Sequence, residues 1–275
     1  MDSTKVLVIT HEMDPYVILS EHAKIARQLP EKLQEKEMEV RVFMPRFGKI
    51  NERKHRLHEV IRLSGINISV GEDDYPMMIK VASLPSARMQ VYFIDNEDLF
   101  QRKFYLNDKE GNFFKDNDER MIFFNKGAVE ILLKLGWMPD IIHCHGWMTS
   151  LIPLLARTKY NNEPAFSKSK IFYTAYDRAF EGKLTDNMIS KAHIEELVET
   201  PEVKELLANP TAENLAKIAG LYSDAVTLGS DSMQNGIVDY FVNENKDLLK
   251  YVSPEADNFV DSYYELYSKH FEEQD

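Results

Sequence analysis

The 275-residue sequence predicts an α/β protein built on a Rossmann-like, doubly wound, mostly parallel sheet. Three observations lead there. Six compact apolar runs recur along the chain, charged amphipathic stretches separate several of them, and polar side chains gather just after the runs end. Strands covered on both faces read as such runs, and strands alternating with helices make βαβ units.

The first run, KVLVIT (5–10), leads into a helical stretch over 20–36, and EVRVFMP (39–45) follows as the second strand. Residues 46–89 carry Gly65, Gly71, Pro76 and Pro85 between short runs such as INISV, which predicts an inserted hairpin or small extra sheet. QVYFID (90–95) is the next strand. A helix over 118–135 precedes DIIHCH (140–145), and a helix over 147–160 separates it from KIFYTA (170–175). Residues 181–221 are polar and helical, with Thr200-Pro201 and Pro210-Thr211 as start signals, and AVTLGS (225–230) is the last of the six runs. Ser253 as cap, Pro254 in the first turn, and Phe259, Val260, Tyr263, Tyr264, Tyr267 and Phe271 on one face predict an amphipathic helix over 254–271. The expected division is a domain at 1–250 with this helix, in 251–275, packed on it. No sequence repeat is seen.

Composition narrows the function. The net charge is −12 and no basic tract is present, so nucleic acid and anionic membrane are not expected partners. The N-terminus enters a strand without a signal-like segment, and no apolar stretch is long enough to span a bilayer. The only cysteine is Cys144. A cytoplasmic protein is the expectation.

In an open α/β sheet the ligand crevice lies outside the carboxyl ends of the strands. There the sequence offers Thr10, His11, Glu12 and Asp14, then His143, His145 and Trp147, then Thr174, Tyr176 and Asp177. His143 and His145 alternate along a strand and so share a face, but no third ligand is indicated nearby. A satisfied core His143, a cleft-facing His145 and no metal are expected. Asp116 and Asn117 precede a helical pattern, where either could serve as its cap.

The stretch VYFIDNEDLFQRKFYLNDKEGNFFKDNDERMIFFNKGAVEILLKLGWMPDIIHCHGWMTSLIPLL resembles the N-terminal half of bacterial glycogen synthases and plant starch synthases, a glycosyltransferase family. HEMDPY resembles the family's SEVAPF, YTAYDRAFEG its FTIHNLAYQG, and LAKIAGLYSDAVTLGSDSM its LKAGILYADAVTTVSPTYA. The likeness covers most of residues 4–233 and implies half of a GT-B fold, in which an N-terminal domain holds the glucan acceptor and a C-terminal one binds ADP-glucose. By the same resemblance His145 would act beside the transferred sugar as the catalytic candidate. Glu12, Tyr16, Asp116, Asn117 and Trp147 match site-loop positions. Tyr176 and Asp177 stand where the family has histidine and asparagine.

Three loops depart from the pattern. The family's Lys-x-Gly-Gly-Leu, whose amides approach the nucleotide phosphates, is replaced by Ile18, Ser20, Glu21 and His22, and Glu21 is expected to point a carboxylate at the diphosphate. HCHGWMT stands for His-x-His-Asp-Trp-Gln-Thr, so Gly146 replaces an acid and Met148 an amide. Only residues 234–275 follow the last segment that resembles the family, too few for a second nucleotide-binding domain of roughly 150 to 200 residues. Two readings stay open. One is a glycogen or starch synthase-like protein, inactive alone, that needs a protein partner to supply the C-terminal half. The other is a non-catalytic glucan-binding or regulatory module. The first implies the family reaction, glucosyl transfer from ADP-glucose to an α-1,4-glucan; both allow an α-glucan or maltooligosaccharide as ligand, the altered loop argues against ADP-glucose binding by this chain, and no cofactor is called for.

Overall fold

A computed structural model describes residues 3–84, 87, 89–177, 179–233 and 235–272. In chain order it runs β1 (Lys5–Thr10), α1 (His22–Glu35), β2 (Glu39–Pro45), α2 (Glu52–His55), β3 (His58–Glu59), β4 (Ile66–Val70), β5 (Asp73–Leu84) and β6 (Met89–Asp95). Then come α3 (Glu97–Phe100), α4 (Asn117–Leu135), β7 (Ile141–His145), a 3-10 turn (Trp147–Thr149), α5 (Leu151–Arg157), α6 (Pro164–Ser167) and β8 (Lys170–Ala175). The last part is α7 (Met188–Ala192), α8 (Pro201–Ala208), α9 (Ala212–Leu221), β9 (Ala225–Leu228), α10 (Asn235–Asn243), β10 (Asp247–Leu249) and α11 (Phe259–Glu272).

One sheet has the order β10-β9-β8-β7-β1-β2-β6-β5-β3, with β4 paired to β5 alone. From β10 to β6 every pairing is parallel, and β5 and β3 continue it antiparallel. All six predicted runs are strands of the parallel part. The expected insertion is a β4–β5 hairpin, but β5 is also long enough to extend the main sheet beside β6. Pro85 lies outside the described residues. The short β10 was not foreseen, because DLL between lysines shows no strand period.

The order reverses at β1, which lies between β7 and β2, so right-handed crossovers place helices on both faces. α1 packs with α11, while α4 packs with α5, and α5 with α9. Helix α11 differs from its expected start. Ser253 donates to Glu255 and accepts from its amide in a local turn, and the helix begins only at Phe259. Phe259, Tyr263 and Tyr267 are buried, and Tyr264 is exposed beside Lys36. The expected threonine caps are present, Thr200 accepting from the Val203 amide and Thr211 from that of Asn214. Among the described residues no helix is long and apolar enough to cross a membrane.

Candidate functional site

The carboxyl ends of β1, β7 and β8 converge because these strands are neighbours at the reversal point, where a crevice opens between diverging loops. A cleft of about 400 Å³ lies there, lined by His11, Glu12, His22, Trp147, Tyr176 and Asp177, with residues 104–108 as its opposite wall. A second cleft of about 220 Å³ shares Tyr176 and Asp177 with it and continues past Phe180 toward Thr211 and Glu213.

Glu12 forms the floor of the first cleft. Its Oε2 accepts from the amides of Leu19 (3.0 Å) and Ser20 (2.9 Å), in the loop that leads into α1, and the Ser20 hydroxyl also donates to it. Burial pushes the Glu12 carboxyl above its ordinary range, and these amide bonds pull the other way. Glu21 is not where the sequence placed it. Its carboxylate turns away and accepts from the Tyr251 hydroxyl, so the anion beside the loop amides is Glu12.

His22 stands at the first position of α1. Its Nε2 pairs with Thr10 Oγ1 at 2.7 Å and its ring stacks on Tyr176 at 4.0 Å. The Thr10 hydroxyl donates to the Glu12 carbonyl at 2.7 Å, so toward His22 it accepts. The imidazole therefore carries its proton on Nε2 and turns a bare Nδ1 toward the Glu12 carboxylate, 3.9 Å away. His11 approaches the same carboxylate from the other side, with Nε2 at 3.6 Å. Burial holds both imidazoles below their usual pKa, that of His11 down to about 3.

Gly146 accounts for the space around this cluster. Its backbone sits at φ 75°, ψ 173°, a region essentially reserved for glycine, and an added Cβ would lie 2.9 Å from the His22 ring and 3.1 Å from that of His11. Histidine at 22 and glycine at 146 thus fit each other, as an acid at 146 would not fit this backbone. Gly146→Ala is expected to cost roughly 3 kcal/mol, from backbone strain and overpacking together. A urea midpoint unchanged from the parent would refute this.

Of the sequence candidates, Glu12, Trp147, Tyr176 and Asp177 line the cleft. Trp147 is packed by Phe113 and Phe180, and its indole N–H has no partner among the described residues. His145 does not face the cleft as expected. It is wholly buried, its Nδ1 pairs with the Tyr176 hydroxyl at 3.0 Å, and its Nε2 has no partner among the described residues. Tyr16 is packed edge-on against Phe93 and His55. Asp116 precedes α4 without capping it and instead accepts from Arg102 Nη1 at 2.9 Å. Asn117 is buried, donating to the Leu106 carbonyl and accepting from Arg120. None of Tyr16, Asp116 and Asn117 lines the cleft, and of the three Asn117 bonds one of its wall residues, Leu106. His143 is satisfied as expected, by Tyr267 on Nδ1 and Thr174 on Nε2. Sequence reasoning passed over the grouping of His11 and His22 with Glu12. His11 follows β1 and His22 opens α1, so no single strand or helix period links them, and the turn between the two elements brings them together.

Relatives among known proteins bear on this arrangement. Glycogen synthase of Chlorobaculum parvum is 39% identical over 230 residues, covering 83% of this chain and 46% of that protein. That of Chlorobium luteolum is 42% identical over 194 residues, 70% of this chain and 40% of the relative. The chain thus spans about half the length of the curated relatives it matches. Among solved structures, the catalytic domain of Starch Synthase IV from Arabidopsis thaliana, bound to ADP and acarbose, superposes with a TM-score of 0.76 at 19% identity, over 92% of this chain and 52% of that one, a likeness of fold. The sheet described above is accordingly half of a GT-B architecture. The starch synthase catalytic domain family matches residues 5–250, and the chain belongs to that family.

Proposed function

We propose that this domain serves α-glucan metabolism by binding a linear α-glucan or maltooligosaccharide, as the acceptor-side half of a glycogen or starch synthase-like glycosyltransferase, and that it does not itself hold the nucleotide diphosphate. The observation that carries this is the Glu12 carboxylate on the Leu19 and Ser20 amides. The backbone donors that a phosphate would use at this helix start already serve an internal anion. Charge argues the same way. Glu12, Asp108 and Asp177 line the cleft against Lys49, and the histidines on its wall are neutral by burial.

For a glucan the two adjoining clefts offer a continuous path past Tyr176 and Asp177, with Trp147, Phe104 and Tyr105 on the walls of one and Phe180 in the other. Aromatic faces pack on sugar rings, while few charges need be neutralised. In the family reaction, glucosyl transfer from ADP-glucose to an α-1,4-glucan, this half would orient the acceptor, and the donor would be held by a second domain, supplied by a protein partner if it is not covalently attached. Transfer requires both held together with water excluded. His145 sits behind Tyr176, so its part in such a reaction would be to hold the tyrosine hydroxyl rather than to touch sugar.

Calorimetric titration in EDTA, with maltoheptaose and separately with ADP-glucose, tests the reading. Maltoheptaose is expected to bind and ADP-glucose to give no saturable heat. Binding of ADP-glucose in the micromolar range, about −8 kcal/mol, would show that the Glu12-occupied loop still accepts a diphosphate and sink the proposal.

A further inference from the structure

We infer that His11, Glu12 and His22 form a binding site for a divalent transition metal ion, best suited to Zn²⁺, with an open coordination position facing the cleft. The inference does not rest on the glucan reading. Three ligand atoms of the right kind, two imidazole nitrogens and one carboxylate oxygen, lie within 4.8 Å of one another. Zinc takes three protein ligands of this type and keeps a fourth position for water or a ligand oxygen when the site borders a cavity. With Zn–N and Zn–O bonds near 2.0–2.1 Å, ligands of a tetrahedral ion stand roughly 3.4 Å apart. Here Glu12 Oε1 is 3.6 Å from His11 Nε2 and 3.9 Å from His22 Nδ1, and the two imidazole nitrogens lie within 4.8 Å of each other, so the three ligands must draw together around an ion.

The surroundings prepare each ligand. His22 is held by Thr10 on Nε2, the arrangement by which an outer hydrogen bond fixes the tautomer and orients a metal-bound imidazole. Stacking on Tyr176 blocks rotation of the ring out of place. Glu12 is divided in function. Oε2 is anchored by two backbone amides, and Oε1 accepts at most a long contact of 3.3 Å from the Ser20 hydroxyl. His11 packs edge-on against His22 and against Trp147, with Nε2 beyond hydrogen-bond reach of Glu12. As arranged, a lone pair on His22 Nδ1 faces a carboxylate oxygen across 3.9 Å with no proton between them, and a cation placed there turns repulsion into two bonds.

The residues also depart from the family together. In the resemblance above, His11 stands at the serine of SEVAPF, His22 at the leucine of the glycine loop, and Gly146 at an acid. The first two bring imidazoles beside Glu12, which stands at the glutamate of SEVAPF, and the third clears the space that both rings occupy.

The test uses the unaltered chain, stripped with EDTA and returned to chelator-free buffer. Calorimetry with ZnCl2 is expected to show one site with Kd of micromolar or below, and Co²⁺ to give visible d–d absorption. His11→Ala and His22→Leu should each weaken that site at least tenfold. Because a variant could fail to fold, crystals of the parent chain soaked in ZnCl2 supply a second readout, with an anomalous peak expected between His11 Nε2, Glu12 Oε1 and His22 Nδ1. Zinc affinity unchanged in well-folded variants, no binding, or anomalous density only elsewhere, such as at His270 and Asp247, would overturn the inference.

Discussion

Acidification from pH 7.5 to 5 is expected to remove several kcal/mol of stability. His143 and His145 are both fully buried, and burial holds the His145 imidazole down at about 3 and that of His143 well below its ordinary value, with its neighbour His145 adding to the effect. In the unfolded chain both take up protons near pH 6.5. Because the folded-state values are depressed, the native state is favoured in full above pH 6.5 and loses ground as the pH falls toward 3. Two imidazoles over 1.5 pH units, at about 1.4 kcal/mol per unit each, amount to about 4 kcal/mol at pH 5. The depressed imidazoles of His11 and His22 add to this loss, whereas the Asp95 and Glu12 carboxyls, pushed up chiefly by burial, oppose it as they protonate. Urea midpoints at pH 7.5, 6 and 5 check the slope, and a flat profile would mean that the two rings are charged or solvated in the native state.

Tyr267→Ala is expected to cost about 4 kcal/mol or more. The side chain is buried against Phe172, with ring centroids 4.7 Å apart, and its hydroxyl is 2.6 Å from His143 Nδ1. Truncation leaves a large cavity and also orphans a buried imidazole nitrogen. Tyr267→Phe keeps the packing and loses only the hydrogen bond, for about 1–2 kcal/mol. Equal losses for the two substitutions in urea unfolding would show that the helix is held by the hydrogen bond alone.

The parallel sheet was legible because its strands are doubly covered. Runs such as KVLVIT and KIFYTA need apolar residues on both faces, and this leaves a mark that does not depend on partners. Strand β10 left none, since it is three residues long and only half-buried at the sheet edge. Side chains at the site were harder to read, because a sequence gives a residue's place on the chain but not the direction it points. Asp116 and Asn117 were read correctly as flanking a helix start, yet Arg102 and Leu106, distant in sequence, claim their polar atoms. Alternation put His143 and His145 on one face. It could not show that Tyr176 and α11 would seal that face from solvent.

The position of β1 between β2 and β7 has a consequence for synthesis on the ribosome. The β1–β2 pairing needs only the first 45 residues, but the other edge of β1 stays open until β7 emerges about a hundred residues later. Chains lengthen at roughly 5–20 residues per second, so that edge waits for several seconds. The cover over His143 arrives later still, with Tyr267, some 124 positions downstream of the histidine it caps. A nascent chain of this protein therefore carries β1 with one edge unpaired for about a hundred residues of synthesis. It is in that interval, rather than after release, that a chaperone binding short apolar segments would have the most to protect.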